Sequence, residues 1–272
     1  MEIDSWIKSA TKILAKAGID TPRLDSLVLA ENVLGKDRSW LLAHQSEEIT
    51  KNDLLLLNKY ISKRSSHYPL AYITHIAHFY NNQFFVNEHV LVPRPESETI
   101  IDTLKTLRIN ETSTIVDIGT GSGALAIVAK LLYPNYRVIA LDIDQECLEV
   151  AKKNALSLKT NITFLQSDLL ESLPANLMNG SVFLANLPYV PNDFSINGSA
   201  KSEPELAIFG GTSGLELYSQ LFAQINMMSS KPNYIITESF PDQHKTLQYI
   251  ASQMDYKCLA TNDFIQLFSH LH

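Results

Sequence analysis

Residues 114–132 read TIVDIGTGSGALAIVAKLL, in which a glycine-rich loop joins two apolar runs. The β-branched residues of 114–118 predict a buried strand, and the alanines and leucines of 124–132 predict a helix. Glycines between a strand and a helix let the main chain turn sharply, and they leave it bare beside the first turn of the helix. The stretch therefore predicts a strand–loop–helix unit whose loop can hold a ligand.

The alternation of strands and helices continues toward the C-terminus. Further strands are predicted at 137–141, 162–165, 182–185 and 234–237, with helices at 145–156, 215–228 and 242–254. Strands that are separated by helices pair in parallel through right-handed crossovers. Residues 256–260 and 264–268 predict a last antiparallel hairpin at the edge of the sheet. We therefore predict an α/β fold with a doubly wound, Rossmann-like sheet.

Two smaller regions precede this sheet. Residues 1–68 predict a small helical domain, because their apolar residues recur at intervals of three and four. Residues 69–92 are rich in aromatic and β-branched residues, and Asn81-Asn82 suits a hairpin turn. We predict a β-hairpin in this linker, with extended structure already at Tyr72-Ile73-Thr74. The sheet is then expected to occupy a third region, residues 93–272.

The composition argues against several classes of protein. No apolar run approaches the roughly 18 residues that a membrane span needs. The acidic, amphipathic N-terminus also lacks the basic start of a signal peptide. Cys147 and Cys258 have no second Cys or His at ligand spacing, which argues against a disulfide framework and against a metal site. We expect a cytoplasmic protein without a membrane partner.

The charge of the chain is −7 at pH 7 and is unevenly distributed. Residues 1–70 hold ten Lys and Arg against nine Asp and Glu, whereas residues 71–272 hold twelve against twenty. An acidic region of this size argues against a DNA or RNA duplex as the main partner. We expect no stable nucleic-acid partner.

Acidic residues follow the glycine-rich loop on the next strands. Asp142 stands 21 residues after Gly121, at the end of the second strand. A carboxylate there can accept hydrogen bonds from both hydroxyls of a ribose. Asp168 ends the third strand, and with Asp117 and Asp142 it is predicted to line one rim of the sheet. Each acid alone also suits a cap of a turn or helix, and the glycine loop alone suits a structural turn.

The spacing of the glycines distinguishes between cofactors. A dinucleotide site uses G-x-G-x-x-G, and a P-loop uses G-x-x-x-x-G-K-[ST]. The loop here is Gly119-x-Gly121-x-Gly123, which matches neither pattern. The spacing favours S-adenosylmethionine as the cofactor.

The strand at 182–185 leads into Asn186-Leu187-Pro188-Tyr189, which resembles the [N/D]-P-P-[Y/F/W] motif of amino-methyltransferases. An amide or exocyclic amine nitrogen carries two N–H donors. The side-chain oxygen of Asn186 and the main-chain carbonyl of Leu187 can each accept one, which fixes the nitrogen in line with a methyl donor. Pro188 is expected to stiffen the loop, and the ring of Tyr189 to pack on the planar substrate group.

Other segments resemble those of release factor glutamine methyltransferases. They are LVPRPESE (91–98), EPELA (203–207), GGTSGL (210–215), PLAYI (69–73) and Glu238 with Gln243. The resemblance covers roughly residues 64–243, with a helical domain of the expected size in front. It implies a class I methyltransferase that methylates the N5 amide nitrogen of a glutamine. The implied substrate is the Gly-Gly-Gln glutamine of class I peptide chain release factors, which would be the partner.

The resemblance also implies roles for individual residues. The implied contacts to S-adenosylmethionine come from Gly119, Thr120, Gly121, Ser122, Gly123, Asp142, Asp168, Leu169 and Asn186. The implied catalytic and substrate-binding residues are Asn186, Leu187, Pro188 and Tyr189. Arg94, Glu96 and Glu98 are expected in a segment that folds over the cofactor.

Two positions depart from the family pattern. Leu187 stands where the family has proline, and its carbonyl is expected to serve alone. His75 stands where the family has glycine. The tetrapeptide N-L-P-Y also occurs in ribosomal-RNA adenine dimethyltransferases, so an adenine-N6 methyltransferase acting on RNA or DNA is one alternative. A non-catalytic adaptor that keeps the fold is another.

Overall fold

The computed structural model describes residues 1–110, 112–177, 180–196 and 198–271. The chain forms two compact units, which are Met1–His75 with Ile196–Ser202 and Ile76–Ser195 with Glu203–His272. We call them the helical unit and the sheet unit. Within the described ranges, no helix is both long enough and apolar enough to cross a membrane.

The helical unit is built from short amphipathic helices. Their bounds are α1 Ile3–Lys16, α2 Pro22–Leu34, α3 Arg38–Ala43, α4 Lys51–Ser65 and α5 Leu70–Thr74. Helix α2 begins at Pro22, where the first turn needs no N–H from the residue. It ends before Gly35, whose φ is 62°. Their apolar faces enclose one core, in which Leu14 and Leu41 are fully buried.

Helix α5 differs from the prediction for Tyr72-Ile73-Thr74. These residues were predicted to be extended, and that prediction is wrong because they form a helical turn. Ile73 is buried in the core of the helical unit, and packing of this kind overrides a weak β propensity. His75 ends the helix with a φ of 57°, in the left-handed region that glycine adopts without strain.

The predicted hairpin is present in the sheet unit, with a turn shifted by one residue. Its strands are β1 Ile76–Phe79 and β2 Asn82–Phe85. The turn residues are Tyr80 and Asn81, with φ values of 48° and 60°, rather than Asn81 and Asn82. Two positive φ angles in a two-residue loop match the twist of the flanking strands.

The main sheet has seven strands in the order β5-β4-β3-β6-β7-β9-β8. Their bounds are β3 Thr114–Ile118, β4 Arg137–Asp142, β5 Thr163–Gln166, β6 Val182–Ala185, β7 Tyr234–Glu238, β8 Tyr256–Asn262 and β9 Ile265–His270. The strands from β5 to β7 are parallel, and β9 pairs antiparallel with both β7 and β8. The predicted doubly wound α/β fold with a terminal antiparallel hairpin is confirmed.

Helices cover both faces of this sheet. Their bounds are α6 Glu98–Thr106, α7 Ala124–Leu132, α8 Gln145–Ser157, α9 Glu216–Met227 and α10 His244–Ser252. One core lies under α9 and α10, and a second lies under α6 and α7. Helix α6 was not predicted, although Ile100, Ile101 and Leu104 recur at helical spacing and are fully buried.

The strand order positions the site. From β3 the chain moves outward through β4 to β5, and it then returns to place β6 on the other side of β3. Ligands bind at such a reversal, outside the carboxyl ends of the strands, because the two neighbouring loops diverge there. The loops in question follow β3 and β6, and they carry the glycine-rich and N-L-P-Y segments.

Candidate active site

A cavity lies at the carboxyl ends of β3, β4 and β6. The predicted site residues that line it are Gly119, Thr120, Gly121, Ser122, Asp142, Asp168, Leu169, Asn186, Leu187 and Pro188. Gly123 and Tyr189 were also predicted for the site and do not line the cavity. The structure therefore brings the loop expected to bind the cofactor and the loop expected to bind the substrate into one cavity.

Hydrogen bonds to the neighbouring strand hold the glycine-rich loop in place. The N–H of Thr120 donates to the carbonyl oxygen of Leu141 at 2.9 Å. The N–H of Gly121 donates to Oδ2 of Asp142 at 2.8 Å. The loop is thus fixed to the end of β4 before any ligand binds.

Asp117 supports the loop from below and does not line the cavity, in contrast to the expected rim of three acids. Its Oδ2 accepts the Thr120 hydroxyl at 2.6 Å and the Ala126 N–H at 3.1 Å. Burial raises the pKa of Asp117 to about 7, against the effect of these two hydrogen bonds. Asp117 therefore stabilises the start of α7, while Asp142 and Asp168 face the cavity.

The surroundings of Asp142 fit a nucleoside cofactor. Its Oδ2 accepts the Gly121 N–H, and its Oδ1 accepts the Asp144 N–H at 3.0 Å. Each oxygen keeps a further lone pair, so the carboxylate can also accept two ribose hydroxyls. Burial raises the pKa of Asp142, and the hydrogen bonds from the backbone oppose this shift. Ile143, which was not predicted, is 49% exposed and gives the cavity an apolar wall beside the carboxylate.

Replacement of Asp142 by alanine tests this fit. We expect Asp142→Ala to weaken S-adenosylmethionine binding by about 1.5–3 kcal/mol, since hydrogen bonds to a charged group are lost. Calorimetric titration measures the change, and the melting temperature of the free protein reports any damage to the loop. Glu149→Ala is the matched control, because it removes an exposed carboxylate of α8 outside the cavity. Equal affinity in the Asp142 variant and the wild type would exclude Asp142 from the site.

The side chain of Asn186 is held in one direction. Its Nδ2 donates to Oγ of Ser97 at 2.8 Å. Both residues line the cavity, so the amide oxygen of Asn186 remains available to a ligand there. Ser97 was not predicted as part of the site, because it lies 89 residues away in the sequence.

Leu187 contacts its neighbours through its N–H and its side chain, although only its carbonyl was expected to have a role. Its N–H donates to the hydroxyl of Tyr218 at 3.2 Å, and the residue is 3% exposed. A methyl group on Gly119 would lie 3.1 Å from Cδ2 of Leu187, so the two loops pack against each other here. A proline at this position would lose the hydrogen bond to Tyr218.

The hydroxyl of Tyr218 connects the loop to two strand ends. It lies 2.9 Å from the carbonyl oxygen of Ala185 and 2.6 Å from that of Glu238, and it can donate to either. Tyr218 is fully buried, and burial raises the pKa of its hydroxyl. The peptide that precedes Leu187 is therefore tied to the ends of β6 and β7.

Tyr189 points away from the cavity lining. Its hydroxyl donates to Oε1 of Glu238 at 3.0 Å, and its ring packs edge-on against Phe240 with centroids 5.0 Å apart. Burial is the main reason why its pKa is raised. The Tyr189 carbonyl oxygen accepts Nε2 of Gln243 at 2.8 Å. Packing of this ring on a substrate group stays a prediction.

The GGTSGL segment lies directly against the main chain of the N-L-P-Y loop. The N–H of Gly210 donates to the carbonyl oxygen of Val190 at 2.9 Å. A methyl group at Gly210 would overlap the Pro188 carbonyl oxygen, and one at Gly214 would overlap that of Tyr189. The segment needs glycine at both positions because the two stretches of backbone touch.

An ion pair joins two segments that line the cavity. Nη2 of Arg94 lies 2.6 Å from Oε1 of Glu203, whose side chain is 1% exposed. The other oxygen of Glu203 accepts the N–H of Val92 at 3.2 Å. Arg94 lines the cavity as expected, whereas Glu96 and Glu98 do not. Glu98 instead accepts the N–H of Tyr80 at 2.6 Å in the hairpin turn.

Two family models match the chain, one in its N-terminal helical region and one in the region of the sheet. Residues 5–74 match the family described as PrmC N-terminal domain, and residues 109–197 match the family described as methyltransferase domain. The release factor glutamine methyltransferase of Enterococcus faecalis is 34% identical over 221 residues, which cover 80% of this chain and 79% of the relative.

Two solved structures share the fold at low sequence identity. A methyltransferase from Pyrococcus furiosus has a TM-score of 0.52 and 19% identity, covering 80% of this chain and 97% of its own. The hMettl16 catalytic domain in complex with the MAT2A 3′UTR hairpin 1 has a TM-score of 0.56 and 14% identity, covering 93% and 92%. At these identities the likeness concerns the fold alone.

Proposed function

The chain belongs to the family of release factor glutamine methyltransferases, and on that premise we propose that it transfers a methyl group from S-adenosylmethionine to the side-chain amide nitrogen of a glutamine in a peptide chain release factor. The proposed acceptor is the glutamine of the Gly-Gly-Gln loop, and the proposed product is N5-methylglutamine.

The observation that carries the proposal is the position of Asn186. It shares the cavity with the glycine-rich loop and Asp142, and its Nδ2 is already bonded to Ser97. The amide oxygen is therefore the group that Asn186 can offer to a ligand. An acceptor beside a methyl-donor site suits an acceptor nitrogen that carries N–H groups.

Position and polarisation explain the reaction without a strong base. When bound, S-adenosylmethionine supplies an electrophilic methyl group on its sulfonium. Asn186 Oδ1 and the Leu187 carbonyl oxygen accept the two N–H groups of the glutamine amide, which aims the nitrogen at that methyl and increases its electron density. Transfer of that methyl group from the sulfonium would leave one surplus proton on the nitrogen, which water can accept.

The Leu187 carbonyl can serve in this way because its surroundings are rigid. The N–H of Leu187 is bonded to Tyr218, and the Leu187 side chain packs on Gly119. Pro188 follows and restricts the backbone further. Groups that are held before the substrate binds need no reorganisation during the reaction, and this is the source of most of their catalytic effect.

Labelled S-adenosylmethionine tests the proposed acceptor. We expect a release factor to receive one methyl group on the amide nitrogen of its Gly-Gly-Gln glutamine, as peptide mass spectrometry would locate it. Replacement of that glutamine by alanine is the control and should abolish labelling. Ribosomal RNA and DNA are offered in parallel. An adenine N6 amine also carries two N–H groups, so labelling of nucleic acid in place of the release factor would favour the adenine alternative. If no acceptor is labelled, the result would favour the non-catalytic adaptor.

A further inference from the structure

Two buried polar side chains, Ser97 and Glu238, lie behind the N-L-P-Y loop and bond to two of its residues. Ser97 is 4% exposed and Glu238 is 2% exposed. Ser97 Oγ accepts Nδ2 of Asn186 at 2.8 Å, and Glu238 Oε1 accepts the hydroxyl of Tyr189 at 3.0 Å. Asn186 and Tyr189 therefore bond to two neighbouring buried side chains. Ser97 lies at the start of α6 and Glu238 at the end of β7.

The carboxylate of Glu238 can act as the acceptor at the end of these hydrogen bonds. Burial raises the pKa of Glu238, and hydrogen bonds from the hydroxyls of Ser97 and Tyr189 oppose this shift by stabilising the charged form. Oε2 has no partner in good hydrogen-bonding geometry within the described residues, so the carboxylate has spare acceptor capacity beside Ser97. An ionised carboxylate only accepts. In the charged form of Glu238, the Ser97 hydroxyl can donate toward this spare acceptor, while its oxygen accepts from Asn186.

We propose that Ser97 and Glu238 are positioning residues that fix which end of the Asn186 amide faces the substrate. This inference rests on the proposed function. With Nδ2 bonded to Ser97, Oδ1 faces the cavity and can accept a substrate N–H. A rotation of the amide by a half turn would present an NH2 group, whose hydrogens oppose those of the substrate nitrogen. The direction of the hydrogen bonds thus determines whether Asn186 assists or obstructs the acceptor.

Glu238→Gln inverts that direction with almost no change of shape. The glutamine oxygen can still accept the Tyr189 hydroxyl, while its NH2 replaces the oxygen that lacked a partner. The NH2 then donates to Ser97, and the Ser97 hydroxyl donates to Oδ1 of Asn186. We expect the wrong end of Asn186 to face the cavity and kcat to fall by about 100-fold, with little change in S-adenosylmethionine affinity.

Ser97→Ala breaks the connection without imposing a direction. Asn186 can then adopt both orientations, and we expect kcat to fall by only about tenfold. The double variant, S97A with E238Q, has no hydroxyl to transmit the inversion. We expect it to return to the level of S97A, so that the second substitution restores about tenfold of the activity that E238Q lost. If the two residues acted independently, their losses would add and the double variant would be slower than either single variant.

The measurements are kcat with a release factor, S-adenosylmethionine affinity by calorimetry, and the melting temperature of each variant. Thr237→Val is the matched control, since Thr237 precedes Glu238 on β7, is fully buried, and its hydroxyl has no hydrogen-bond partner among the described residues. It should leave kcat unchanged. A double variant that is slower than E238Q, or an E238Q variant with normal kcat, would overturn the inference. If the wild type methylates RNA instead of a release factor, the proposed function fails. The rates of the wild type and of the three variants are then compared with RNA as the substrate, and the same ranking is expected.

Discussion

Gly214→Ala is expected to reduce methyl transfer by about 100-fold or more and to destabilise the folded protein by about 3 kcal/mol. Gly214 has a φ of 79°, and a methyl group there would overlap the carbonyl oxygen of Tyr189 and crowd Nε2 of Gln243. The main chain cannot yield without moving the N-L-P-Y loop. A displacement of about 1 Å in a loop that aims the acceptor is enough for a loss of this size.

Gly18→Ala separates the effect of the overlap from that of the backbone angle. Gly18 has a φ of 76°, close to that of Gly214, and a methyl group there would meet no atom of the described part of the chain within 4 Å. We expect this control to lose about 1 kcal/mol of stability, the usual cost of a left-handed alanine, and to keep full activity. Activity assays and chemical denaturation measure both. Equal losses in the two variants would show that the contact between Gly214 and Tyr189 has no role in catalysis.

The sequence predicts the elements of the fold whose bounds depend only on the local pattern of apolar and turn-forming residues. The strand 114–118, the helix 124–132 and the strand 182–185 have the predicted bounds, because each is an apolar run between clear turn signals. The glycine-rich loop and Asp142 were predicted at the ends of neighbouring strands, and both line the same cavity. Residues at the carboxyl ends of neighbouring parallel strands must meet, so adjacency followed from topology.

The parts that could not be predicted depend on contacts between distant residues. Nothing around Ser97 in the sequence shows that its hydroxyl meets an amide 89 residues later. Tyr218 shows only helical periodicity, yet its hydroxyl joins Leu187 to Glu238. The same limitation explains the error at residues 72–74, where burial of Ile73 outweighed local propensity.

Two long-range hydrogen bonds of the N-L-P-Y region meet at the end of β7. The side chain of Glu238 accepts a hydrogen bond from the Tyr189 hydroxyl, and its carbonyl oxygen lies within hydrogen-bonding distance of the Tyr218 hydroxyl. Gln243, a short distance further on, holds the Tyr189 carbonyl and that of Ser213. The glutamate and glutamine of this region thus have a physical reason to occur together, because both hold the loop that presents Asn186.

Asn186→Ala is expected to lower kcat by about 10²–10³, the usual effect of losing one preorganised polar contact in a transition state. S-adenosylmethionine affinity should change far less, because Asp142 and the glycine-rich loop line the cavity independently of Asn186. Stopped assays with a release factor give kcat, and calorimetry gives the affinity. Asn192→Ala is the control, as it removes an exposed asparagine that follows the same loop and does not line the cavity.

The same variant also tests whether Glu238 acts through Asn186. Once the amide is gone, no orientation remains to be fixed, so E238Q should cost little further activity in the Asn186→Ala background. An undiminished loss of about 100-fold in that background would mean that Glu238 acts by another route, such as through Tyr189. A nearly normal kcat for Asn186→Ala alone would exclude the acceptor role of its oxygen. The Leu187 carbonyl would then be the remaining acceptor in the loop for the substrate nitrogen.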